Sequence, residues 1–139
     1  MRKKKIFVDT GYWVAVSNPQ DALHEQAMVW SQRIVSQNLI TSEMVLNEFL
    51  DGCSRQGYPL RQIGVDLIID ILNNPILEIV PQTSELFLSA FQLYRNRLDK
   101  RWSHTDCSSF YIMRKLGIRE ALAHDKHFEQ AGFVALLRG

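Results

Sequence analysis

The chain has 139 residues, 46% of them hydrophobic and 22% charged, with a formal net charge of +1. This suffices for one compact core, falls short of two ordinary domains, and supplies no overall basic field that would announce a nucleic-acid partner. Two cysteines, Cys53 and Cys107, exclude a disulfide framework and fit no zinc spacing, so free, buried or half-buried thiols in a reducing, cytoplasmic setting are expected.

The basic run Arg2-Lys3-Lys4-Lys5 before Ile6-Phe7-Val8 has the outline of a leader, but Asp9 interrupts the apolar stretch and no small-residue cleavage site follows. No segment has the length to span a bilayer. The expectation is a soluble cytoplasmic protein without a membrane partner. Residues 5–9 form a short apolar run ending in an acid, the pattern of a buried parallel strand. Tyr12-Trp13 lead into a short apolar helix or turn, which Asn18-Pro19 breaks. Asp21 is the predicted N-cap of a helix running to Gln37, and residues 39–41 a very short second strand. Ser42 caps the next predicted helix, to Arg55, with Glu43 answering its dipole.

Gly57-Tyr58-Pro59 separates that helix from another over residues 60–73, closed by Asn73-Asn74-Pro75. A third strand follows at 76–80, then a helix opened by Thr83 or Ser84 and running through Leu98. Ser103 to Asp106 opens one more, ending near Gly117; a strand at 120–123, a short helix at 126–130 and a fifth strand at 133–136 complete the chain. Strands alternating with helices, without hairpin signals, define an α/β fold with a parallel sheet covered on both faces.

Four carboxylates stand at the ends of these segments: Asp9 in IFVDTGYW, Glu48 in SEMVLNEFL, Asp106 in SHTDCSSF and Asp125 in ALAHDKHF. Parallel α/β sheets bind ligands beyond the carboxyl ends of their strands, where strand order reverses. All four acids can reach that edge. Converging carboxylates repel one another and lose water, so they gather around something positive. Hard oxygen ligands suit Mg2+ or Mn2+ rather than zinc.

Each acid also has a structural role available to it. Asp9 can cap the turn after its strand. Asp106 can answer a helix dipole, although Ser103 and Thr105 serve equally well, and Asp125 can simply end a strand. Glu48 competes with Glu43 and Asp51. It lies about 100° around the helix from Phe49, at the border of the apolar stripe of Leu46, Phe49 and Leu50. His24, His104, His124 and His127 lack zinc spacing and are expected at the surface. Among Trp13, Trp102, Tyr94 and Tyr111, the default is core; Trp102, in a polar loop beside Lys100 and Arg101, is the candidate for stacking on bases. The basic clusters Arg2 to Lys5, Arg95 with Arg97, and Lys100-Arg101 gain meaning only where they border the acids.

At this point the chain resembles the PIN-domain ribonucleases, and is most similar to the VapC-like toxins of bacterial toxin–antitoxin pairs. Asp9-Thr10 after the first strand resembles the family's opening, and DALHEQA from Asp21 to Ala27 its first long helix. Val45-Leu46-Asn47-Glu48 resembles its glutamate segment, SHTDCSSF its third acid, and HDKHFEQAGF its fourth acid with the Asp-Lys-x-Phe continuation. The likeness covers nearly the whole chain, so residues 1–139 are expected to form one PIN-like domain. It implies a Rossmann-like α/β/α sandwich that cuts RNA with Mg2+ or Mn2+. Asp9, Glu48, Asp106 and Asp125 carry over as catalytic, metal-binding acids, and Thr10 as a supporting hydroxyl. One place departs: Ala123 stands where the family often has threonine or serine, two residues before the fourth acid.

The toxin likeness also implies an antitoxin that lays a peptide or helix across the acidic groove and inserts an arginine among Asp9, Glu48 and Asp106. The apolar helices of residues 42–73 suggest a homodimer. Other classes fit less well. A haloacid-dehalogenase phosphatase needs a second acid where Gly11 stands, and a receiver domain needs an aspartate after the third strand, which ends in Val80-Pro81-Gln82. The remaining alternative is a degenerate domain that binds RNA or protein without cutting.

Overall fold

The computed structural model describes residues 3–138; Arg2 of the basic run lies outside them. Five parallel strands form one sheet in the order β3-β2-β1-β4-β5: β1 Lys5–Val8, β2 Asn38–Ser42, β3 Leu77–Val80, β4 Glu120–Leu122 and β5 Val134–Ala135. The central strand reads as an unbroken apolar run because both of its faces are covered. Ile6, Phe7 and Val8 are all buried, as are Ala121 and Leu122 beside them.

Among the described residues seven helices connect the strands: α1 Thr10–Ser17, α2 His24–Arg33, α3 Glu43–Ser54, α4 Tyr58–Leu72, α5 Ser84–Asn96, α6 His104–Leu116 and α7 Lys126–Gln130. α1 packs against α2, α3 and α4, whereas α6 packs against α5 and α7, so two helical layers sandwich the sheet. Chain order explains this. The chain leaves β1 toward β2 and β3, then returns past β1 to β4 and β5, and right-handed crossovers in opposite directions fall on opposite faces.

Caps fix the helix starts that matter most. Ser42 accepts from the Val45 amide, and Thr83 from the Leu86 amide. Ser103 and Asp106 close a reciprocal capping box at α6, and Gly117, at φ 69°, ends that helix in the left-handed conformation. Asp21 does not cap α2. Its carboxylate accepts from the Leu23 amide two residues on, folding residues 21–23 into a turn that delays the helix to His24. The last strand is only two residues long and continues as a 3-10 turn, Leu136–Arg138, in which the Leu137 amide donates to the Ala123 carbonyl. Both cysteines are free and buried; burial pushes the Cys107 thiol up to about 11 and raises that of Cys53.

Candidate active site

Strand order reverses at β1, and two of the four acids follow β1 and its neighbour β4. The Asp9 amide donates to the Leu122 carbonyl at 3.2 Å, pinning the end of β1 to the end of β4. Asp9 occupies the N-cap position of α1, yet its side chain makes no cap bond. The capping role therefore does not account for it. Its carboxylate is buried, and that burial pushes its pKa up to about 8, with Asp106, Glu48 and Asp125 adding to the rise and a Thr10 backbone hydrogen bond opposing it.

Glu48 reaches the same place from the second turn of α3. The Thr10 hydroxyl donates to Glu48 Oε1 at 2.6 Å, tying the start of α1 to the middle of α3. The competing acids point elsewhere: Glu43 Oε1 accepts from the Gln82 amide, and Asp51 is exposed. Asp106 does two things at once. Its Oδ2 accepts from the Ser103 amide at 3.1 Å in the capping box and lies 3.0 Å from His127 Nδ1. Asp125 is the N-cap of α7, where its Oδ1 accepts from the His127 amide at 2.9 Å and lies 3.2 Å from that ring's Nδ1.

Together these side chains line an open cleft of about 390 Å3, which Thr10, Arg101, Ser103, His124 and His127 also line. Four carboxylates face one guanidinium there. The donor set is mostly hard oxygen, two of its members, Asp9 and Asp106, are buried, Asp9 is driven toward its neutral form, and the missing element is positive charge. A divalent cation fits that deficit: Asp106, Asp125 and His127 bring ligand atoms within 4.8 Å of one another, and Asp9 and Glu48 face the same space.

Several expectations need correction. His127 is half-buried between two of the acids, not a surface residue; its signal in the sequence was its place two residues after Asp125, in the first turn of a short helix. His24 bonds the Ala15 carbonyl and His104 the Phe87 carbonyl, both outside the cleft, while His124 is exposed at its rim. Trp102 is buried, edge-on to Phe110, with its indole N–H donating to Gln130, so it is not an exposed stacking platform. Arg101 borders the acids. Lys3, Lys4 and Lys5 do not; they lie with Arg119 at the amino end of the sheet.

A parallel sheet with this reversal and an acid cluster at its carboxyl edge make a Rossmann-like α/β/α sandwich with an acidic site, and the PIN domain family matches residues 6–134. The chain belongs to that family. It is 30% identical over 131 residues to a Mycobacterium tuberculosis protein described as the 23S rRNA-specific endonuclease VapC20, covering 93% of this chain and 95% of that one. The crystal structure of that VapC20, described as a sarcin-ricin loop cleaving toxin, superimposes with a TM-score of 0.82 at 31% identity, covering 93% of this chain and 96% of the other. FitAcB from Neisseria gonorrhoeae has a TM-score of 0.66 at 17% identity, covering 94% of each chain. FitAB bound to an IR36 DNA fragment has a TM-score of 0.67 at 18%, covering 94% of this chain and 92% of that one. At such identity these two share the fold.

Proposed function

We propose that this chain is a metal-dependent endoribonuclease of the cytoplasm, the toxin of a toxin–antitoxin pair, and that residues 1–139 act as a single domain. The observation that carries this reading is Asp9: a buried carboxylate with no cap bond, at the strand-order reversal, facing three further acids. The near full-length similarity to VapC20 supports it.

In this reading Asp9, Glu48, Asp106 and Asp125 hold Mg2+ or Mn2+. When bound, such an ion polarises a phosphodiester and lowers the pKa of an attacking water. The chain's own residues set the geometry. Thr10 holds Glu48, the Ser103 amide orients Asp106, and the His127 amide orients Asp125. Arg101 offers its guanidinium to an RNA phosphate, which the acids alone would repel. The alternative of an inert binding module rested on Ala123, which has no hydroxyl to hold Asp125. The His127 amide, which donates to Asp125 Oδ1, supports a role for the fourth acid without that hydroxyl.

The proposal includes a homodimer, supported by exposed apolar side chains on α4, among them Tyr58, Val65, Ile69 and Leu72, which a monomer leaves in water. Sedimentation showing only monomer at micromolar concentration would remove that part. The antitoxin is expected to insert an arginine into the acid cleft, and its addition should abolish cleavage in proportion to occupancy.

The deciding experiment incubates purified protein with cellular RNA, 23S rRNA included, in Mg2+ or Mn2+, beside an Asp106→Asn variant and an EDTA control. Cutting that disappears in both controls is expected. Persistence of cutting in the variant would overturn the role of the acid cluster, and no cutting by folded, antitoxin-free protein on any RNA would overturn the ribonuclease reading.

A further inference from the structure

We propose that His127 enters the coordination sphere of the divalent ion as a nitrogen ligand beside Asp106 and Asp125, giving the site a preference for Mn2+ over Mg2+. The inference rests on the metal-dependent reading above and adds to it a residue and a metal selectivity that the four acids do not imply.

Geometry is the first support. His127 Nδ1 lies 3.0 Å from Asp106 Oδ2 and 3.2 Å from Asp125 Oδ1. Two ligands at right angles around an octahedral ion, each about 2.1 Å from it, stand about 3 Å apart, while opposite ligands stand about 4.2 Å apart. Separations of 3.0 and 3.2 Å are thus short enough for these atoms to share one ion. All three side chains can place a donor atom within 4.8 Å of the others.

Rigidity is the second. The His127 amide is held by the same carboxylate its ring approaches, and α7 is anchored just behind it by Phe128, fully buried against Phe110. The ring is thus placed by backbone and core. His124, the other histidine on the cleft, is exposed, and its backbone carbonyl accepts from Arg138.

A competing arrangement has the same distances: the ring carries a proton on Nδ1 and bridges the two carboxylates without touching the ion. The two differ in one respect, whether nitrogen is bonded to the metal. With the ion bound, the ligand form carries its proton on Nε2. Imidazole nitrogen suits the later transition ions best, and Mn2+, the first of that series, accepts it more readily than Mg2+, which keeps to oxygen and water. A mixed site should therefore discriminate between them more strongly than four carboxylates would.

The test uses Mn2+ itself as the probe. Mn2+ binding to the full-length protein is first measured by loss of the free-ion paramagnetic resonance signal. The bound ion is then examined by pulsed resonance in protein with natural-abundance or 15N-labelled histidine. Nitrogen coupling that changes with the label is expected. It should vanish in His127→Gln and survive in His124→Gln, with Mn2+ affinity falling about tenfold or more in the former and Mg2+ affinity by less than about threefold. Bound Mn2+ without histidine coupling would overturn the ligand proposal while leaving the metal-dependent reading standing. Coupling that survives His127→Gln but is lost in His124→Gln would assign the ligand to the wrong ring and overturn it too. Absence of Mn2+ binding to the unlabelled native protein would overturn both.

Discussion

Asp9 has the most to reveal at the scale of single residues. Its folded-state pKa is raised from 3.8 to about 8, burial being the largest cause. Between about pH 4 and pH 8 the metal-free folded protein therefore binds a proton that the unfolded chain has released. Stability falls as pH rises through that window and stops falling above it. Asp9→Asn removes the ionisation, so metal-free native protein and variant should melt alike near pH 4, and the variant should be more stable at pH 8 by at least about 1 kcal/mol. Thermal melts in EDTA at the two pH values decide it; parallel curves would show that Asp9 ionises freely in the fold. The sequence exposes such a residue well, because an acid ending an apolar strand has no business in the core. It exposes His127 poorly. A histidine in a five-residue amphipathic helix looks like surface until the chain end folds back and brings it to Asp106, 21 positions away. Trp102 misleads in the opposite direction: polar neighbours along the chain hide that Phe110 and Gln130 enclose it.

Helices and strands were legible where a local interaction decides them and illegible where two local interactions compete. Ser42, Thr83 and Ser103 each cap the helix the sequence assigns to them, because hydroxyls accept amide bonds wherever a helix begins. Asp21 has the same chemistry and spends it on a turn. What no pattern along the chain shows is how closely two helices approach. Gly64 of α4 lies over α3, where an added Cβ would stand 2.7 Å from Cys53 Sγ and 3.2 Å from its Cβ. Alanine would gain about 1 kcal/mol of helix propensity there, but the clash forces α3 and α4 apart or turns the thiol into Phe49. Overpacking of this kind costs about 1–3 kcal/mol. With the propensity gain subtracted, Gly64→Ala is therefore expected to lower stability by up to about 2 kcal/mol in denaturant melts; a variant more stable than the native protein would mean that the contact relaxes freely. The consequence reaches the cleft, since α3 carries Glu48.

Charge is distributed over the whole molecule in a way its net value of +1 conceals. The acids occupy the carboxyl end of the sheet with Arg101 beside them, and Lys3, Lys4, Lys5 and Arg119 gather at the amino end. β1 is four residues long, so the two groups are separated by the height of the sheet, about 13 Å or more. Lys4 is also partnered with Glu120 at 3.6 Å. On the proposed reading, RNA seated for cleavage brings a phosphate to the acids, and Arg101 is the guanidinium that lines their cleft. In the non-cleaving Asp106→Asn background, Arg101→Ala should weaken binding of single-stranded RNA and lower the slope of log affinity against log salt by about 0.7, the release of one counterion. Lys4→Ala should leave both quantities unchanged. Fluorescence anisotropy across a salt series separates the cases. Equal losses in the two variants would mean that the RNA runs over the amino end of the sheet as well, and that the cleft alone does not define the binding track.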